Sequence, residues 1–165
     1  LVADPTNQLP EITYWLMGSL SAARMTDVLQ VLPPMVLGLV PLFLLRWRID
    51  LLTLGDEEAR TMGVHINRLR LILALSAPLV TAAAISVSGM IGWVGLVVPH
   101  LGRRLVGNGH RALMPASMLL GALFLLTVDN VSRNLLATEI PIGILTAFIG
   151  APFFLSLMLR KGGSR

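Results

Sequence analysis

Three histidines, a few hydroxyls and a short run of acids are the side chains in this sequence that could do chemistry. His65, His100 and His110 stand 35 and 10 residues apart, with no HExxH-like pair and no cysteine in the chain, so no metal site is expected. The absence of cysteine also excludes a disulfide framework and thiol catalysis. Nucleophilic hydrolysis would need a base beside Ser76, Ser86 or Ser88, yet their apolar run holds no histidine and His100 lies at the end of the next one. No covalent chemistry and no cofactor is expected from such a set. Asp129 is the carboxylate best placed for a proton relay, but Arg133 follows it by one helical turn, where an ion pair forms. Near the end of an apolar helix, Arg133 is itself a functional suspect. His100 after Pro99 is expected to satisfy backbone groups where a short helix breaks, and His110 to sit in the turn Gly107-Asn108-Gly109.

The acids cluster in residues 54–64, Leu-Gly-Asp-Glu-Glu-Ala-Arg-Thr-Met-Gly-Val. These types predict a short helix with defined ends. Asp56 would cap it, Glu57 and Glu58 favour the positive end of the helix dipole, and Gly63 supplies a left-handed residue that stops it. Two uses fit: a solvated connector, or a docking element for a partner.

Lipid sets the elements that carry these residues. Hydrophobic residues make up 55% of the chain and charged residues 13%, where a soluble domain carries about 25% charged. The formal charge of +4 is distributed as punctuation between apolar runs without aromatic interleaving, which argues against a nucleic-acid surface. Runs near the roughly 20 residues that a bilayer requires fall at 28–47, 69–91, 112–136 and 140–159, with a short one at 92–101. The fold class predicted is all-α, a polytopic transmembrane bundle of about five spans. Pro33, Pro34 and Pro41 interrupt the first span. Ala82, Ala83, Ala84, Ser86, Ser88 and Gly89 let another helix approach the second closely. Pro141 opens the last, in the first turn.

Counting Lys and Arg decides whether 92–101 crosses, because cytoplasmic loops hold the excess. With five crossings one side holds 11 of 13, leaving Arg24 and Arg133 opposite; with four the split is seven to six. Five crossings therefore fit better. They place 1–27 outside as an interfacial piece or a simple loop, the loops around 46–70 and 103–111 inside, and the C-terminus inside. An outside start, an odd number of spans and Leu1 in place of methionine lead us to expect the C-terminal portion of a longer chain.

Several motifs stand together in one order: Trp15-Leu16-Met17-Gly18-Ser19-Leu20, Leu54-Gly55-Asp56-Glu57-Glu58-Ala59-Arg60, Gly95-Leu96-Val97-Val98-Pro99-His100, and His110-Arg111 before Leu113-Met114-Pro115. Asp129 with Arg133, then Pro141-Ile142-Gly143 leading to Gly150-Ala151-Pro152-Phe153-Phe154, complete the series. The whole chain thereby resembles the iron-siderophore, haem and cobalamin uptake permeases of type II ATP-binding-cassette importers, as the C-terminal half of their ten-helix fold. The resemblance implies a single permease domain over 1–165 in the plasma (inner) membrane, working as a homodimer. It also implies cytoplasmic ATPase subunits and an extracytoplasmic substrate-binding protein as partners. Residues 49–66 would be the cytoplasmic coupling loop, with Asp56, Glu57, Glu58, Ala59, Arg60, Met62 and Gly63 seated in a groove of the ATPase. Glu57, Ala59 and Gly63 also match the spacing of the glutamate-alanine-alanine loop of other importers. Arg133 would meet a glutamate of the binding protein. A secondary carrier driven by an ion gradient, an intramembrane hydrolase and a truncated permease without activity are the rival readings. No internal repeat of the kind common in carriers is visible.

Overall fold

The computed structural model describes residues 8–21, 23–135 and 140–162, and every element among them is helical. The elements are α1 (Gln8–Met17), α2 (Met25–Leu52), α3 (Asp56–Thr61), α4 (Ile66–Ser88), α5 (Val94–Val106), α6 (His110–Leu135) and α7 (Ile142–Gly162). Among the described residues four helices, α2, α4, α6 and α7, are long and apolar enough to cross a membrane. Their large side chains face outward, with Leu44 77% and Phe148 76% exposed, an arrangement stable only against lipid or other protein. The chain is a multi-pass membrane protein. α5, expected to make the short crossing, has 13 residues and so spans about 20 Å of the roughly 30 Å hydrocarbon layer.

Several boundaries differ from those the sequence predicts. α2 starts at Met25, where the Asp27 carboxylate accepts the Arg24 backbone N–H at 2.9 Å, so the helix begins three residues before the apolar run expected from 28. α4 stops at Ser88, three residues before the expected Ile91, because Gly89 turns left-handed at φ +66°. α5 does not break at Pro99 and continues to Val106, so Arg103 and Arg104 form its last turn in place of a loop. Proline removes only its own N–H donor, and cations favour the negative end of a helix. Pro141 stands one residue ahead of α7.

The chain divides into two compact units. One comprises the described parts of Ala23–Val87 and Gly102–Met118, hence α2, α3, α4 and the ends of α5 and α6 that adjoin the 107–109 turn. Within it α2 and α4 touch at Gly38, where a Cβ would lie 2.5 Å from Val80 Cγ2 and 2.9 Å from the carbonyl oxygen of the buried Ser76. Small residues at such a crossing allow the backbone approach that packs helices in lipid. Its core is Leu51, Ala59, Val64, Ile66 and Leu69, with Leu45, Leu52 and Leu73 packed against it.

The other unit comprises the described parts of Leu1–Ala22, Ser88–Leu101 and Leu119–Arg165. Here the end of α1, the end of α4 and the start of α7 meet backbone to backbone. Ser19 N–H donates to the Ser88 carbonyl at 3.1 Å, and Gly143 N–H donates to the Gly18 carbonyl at 3.2 Å. That second bond satisfies a donor which the first turn of α7 cannot use internally. Only glycine fits the junction: a Cβ would lie 2.6 Å from the Met90 oxygen at Gly18, and 2.1 Å from the Met17 oxygen at Gly143. Below it Trp93, held at φ +68°, lies over Gly150 and meets Phe154 edge-on at 6.3 Å between ring centres.

Candidate functional site

α3 is a six-residue helix standing on the buried cluster of its unit. Ala59 is fully buried, while Glu57, Glu58, Arg60 and Met62 are exposed, so one face anchors the helix and the other is presented outward. Each aliphatic side chain withdrawn from water in that cluster contributes about 1.5–3 kcal/mol, which holds a helix too short to be stable alone. Exposed Leu54 and Met62 flank the acids, giving the outward face an apolar component.

Both ends of α3 are set by glycine. Gly55, at φ +122°, occupies the cap position expected for Asp56. Asp56 is instead the first helical residue, and its carboxylate accepts a 2.8 Å hydrogen bond from Arg70 of α4. Both partners are about half exposed, so the pair adds at most about 1 kcal/mol and serves chiefly to orient α3 on α4. At the other end Gly63 has φ +78°, as the sequence predicts. Gly63 N–H bonds the Arg60 carbonyl at 2.9 Å and Val64 N–H bonds the Ala59 carbonyl at 3.1 Å, while Val64 closes over Ala59 within the core. This paired bonding is the glycine-dependent helix stop.

A contact not foreseen in the sequence ties the base of this assembly together. Asp50, in the last turn of α2, accepts the His110 backbone N–H at 2.8 Å, and its Oδ1 lies 2.6 Å from His110 Nδ1. Thus the carboxylate of one helix caps the start of another 60 residues away. His110 opens α6 and is not a turn residue. The signal available was a lone carboxylate among the apolar residues that close α2. A second unforeseen feature is a cavity of about 360 Å³ where α3 turns back into α4, lined by Arg60, Val64, His65, Ile66, Asn67 and Arg68.

The structure thus gathers Asp56, Glu57, Glu58, Ala59 and Arg60 on α3 and Met62 and Gly63 in the turn that ends it, with Asp50 and His110 in the same unit. Arg133 belongs to the other unit, on α6. Its Nε donates to Asp129 at 2.9 Å, and the side chain is still 45% exposed. The local ion pair and an outward-facing cation coexist there. His100 lies inside continuous α5, so it does not serve a helix break: its ring meets Phe153 edge-on at 5.6 Å, and Nε2 is buried without a partner among the described residues. An apolar cavity of about 300 Å³ between residues including Val98, Leu123 and Ile149 presents Thr127 as its one polar side chain, and that hydroxyl bonds its own helix.

The sequence profile of the FecCD transport family matches residues 1–160. The chain belongs to the FecCD transport family. As a FecCD-family chain it is 47% identical to the molybdate import system permease protein MolB of Haemophilus influenzae over 98% of its own length and 49% of that protein. It is 43% identical to a probable iron chelatin transport system permease protein of Helicobacter pylori, over 92% and 47%. A structure described as an inward-facing conformation of a metal-chelate type ABC transporter superposes with a TM-score of 0.85 at 45% identity, covering 96% of this chain and 52% of that one. The FecCD-family chain therefore spans about half the length of the relatives it matches.

Proposed function

We propose that this chain is the membrane-spanning part of a permease subunit in an ATP-driven, binding-protein-dependent importer, with an iron-siderophore or related metal chelate as substrate. The observation that carries the reading is the family match over nearly the whole chain, supported by a structural relative of metal-chelate type. Relatives named for molybdate, iron chelatin, cobalamin and hemin transport set the range of substrates. The permease subunit performs no covalent chemistry; ATP is hydrolysed by separate cytoplasmic subunits, and a second permease copy completes the path. In this reading the chain lies in the inner membrane with α3 and the C-terminus on the cytoplasmic side, where the excess of arginine is favoured, and Arg133 on the opposite side.

In this reading α3 transmits motion. Its acids and Met62 contact the ATPase, and four supports pass the displacement onward: the covalent run from α2, the buried cluster, the Asp56–Arg70 pair to α4, and the Asp50–His110 contact to α6. Reconstituted into vesicles with its partners, the native permease is expected to accumulate substrate only when ATP is supplied. Uptake on an ion gradient without ATP would reject the reading.

On the opposite side, Arg133 presents its guanidinium to an acidic residue of the binding protein. Arg133→Glu is expected to lower binding-protein-stimulated hydrolysis about tenfold or more, the effect of losing one charge pair at an interface. Basal hydrolysis stays unchanged. Equal loss of both rates would leave Arg133 a structural role alone.

A further inference from the structure

The cavity at the α3–α4 turn has an apolar floor and a donor-rich rim. Val64 and Ile66 form the floor at 7% and 3% exposure, and Arg60, His65, Asn67 and Arg68 stand exposed around it. No acid lines the cavity. Arg70, the next arginine along α4, is committed to Asp56, whereas among the described residues no hydrogen bond or ion pair engages the side chains of Arg60, His65, Asn67 or Arg68. Two arginines lining one cavity raise its positive potential, and a low-polarity floor strengthens whatever charge contact forms above it. The missing component is an anion able to accept several N–H donors at once, as a carboxylate does.

We infer that this cavity receives an acidic side chain, Asp or Glu, from the ATPase partner, so that the partner grips the turn after α3 as well as α3 itself. The inference rests on the reading of α3 as the coupling helix. Continuity carries it: Arg60 lies in the last turn of α3 and also on the cavity rim, so a protein seated on the exposed face of α3 covers the opening. A lipid phosphate would share the chemistry, and Arg68, in the first turn of α4, abuts an apolar stretch as Arg46 and Arg48 in α2 do; Arg60, in α3, adjoins none, so an anion held by both arginines is favoured to come from a partner seated on α3. A cavity of about 360 Å³ accommodates an acidic side chain together with its flanking backbone.

The test places a photo-activatable cross-linker at Asn67, and separately at Glu57, in the native permease assembled with its ATPase in lipid nanodiscs. The Asn67 probe is expected to label an ATPase peptide containing Asp or Glu. The double variant Arg60→Gln, Arg68→Gln should bind the ATPase at least tenfold more weakly at low salt, with the difference shrinking as salt rises. Labelling of ATPase from Glu57 with only lipid or permease labelled from Asn67 overturns the cavity assignment and leaves the coupling helix standing. Unchanged affinity of the double variant overturns it equally. Failure of both probes to label ATPase removes the coupling reading and this inference with it.

Discussion

Gly89→Ala in the native permease is expected to leave little properly folded protein, with Tm lowered by on the order of 10 °C, while Gly92→Ala three residues later changes stability by no more than about 1 kcal/mol. A Cβ at Gly89 would lie 1.9 Å from the Trp15 carbonyl oxygen, 2.9 Å from its carbon and 3.4 Å from Gly18 Cα. Every one of those atoms is backbone, so no side chain can rotate to make room. Separating the segments would stretch the Ser19-to-Ser88 and Gly143-to-Gly18 hydrogen bonds that join α1, α4 and α7. The left-handed conformation at φ +66° adds about 1–2 kcal/mol for any residue with a Cβ, and overpacking adds about 1–3 kcal/mol. Against a typical folding stability of 5–15 kcal/mol this is a large fraction. Gly92 has neither handicap, since nothing lies within 4 Å of its Cβ position and its φ is not left-handed. Thermal unfolding of the two detergent-purified variants measures the contrast. Equal melting temperatures would show that the junction parts freely and that its glycines are incidental.

What could be read from the sequence, and what could not, follows from the range of the forces involved. The long spans were legible because solvation in lipid acts on every residue of α2, α4, α6 and α7, and twenty apolar side chains state the same preference together. Their ends were less legible, since apolarity does not stop a helix. Backbone conformation at Gly89 stops α4 inside an apolar run, while α5 continues through Arg103 and Arg104 because arginine is a good helix former. The glycine stop at Gly63 was visible because its bonds close within six residues. Asp50 with His110 was not, because two ordinary polar residues separated by 60 positions carry no local pattern. The cap on α3 falls on Gly55 and not on Asp56, whose carboxylate is held by Arg70, fourteen residues along and equally without a local pattern. The motifs at Gly18 and Gly143 stood out singly, but only their close approach shows that they are halves of one contact.

The functional prediction of largest effect falls on the outward face of α3. Reversing both acids, Glu57→Lys with Glu58→Lys, is expected to weaken ATPase association about a hundredfold and to abolish ATP-dependent uptake, without lowering the amount of folded permease. The two parts separate because of where the side chains are. Glu57 and Glu58 are exposed, whereas the helix is held by Ala59 in the buried cluster and by the backbone bonds at Gly63, neither of which the substitution touches. Lysines in the first turn oppose the helix dipole, at about 0.3–1 kcal/mol each, which the cluster tolerates. Across an interface the consequence is greater, because two reversed charges meet groups arranged for acids, and a loss of about 3 kcal/mol corresponds to roughly a hundredfold in affinity. Co-purification of the ATPase with the variant, titrated by surface-immobilised permease, measures the association, and melting temperature checks the fold. ATPase binding at native strength in a variant that unfolds normally would remove α3 from the interface and return it to the role of a solvated connector.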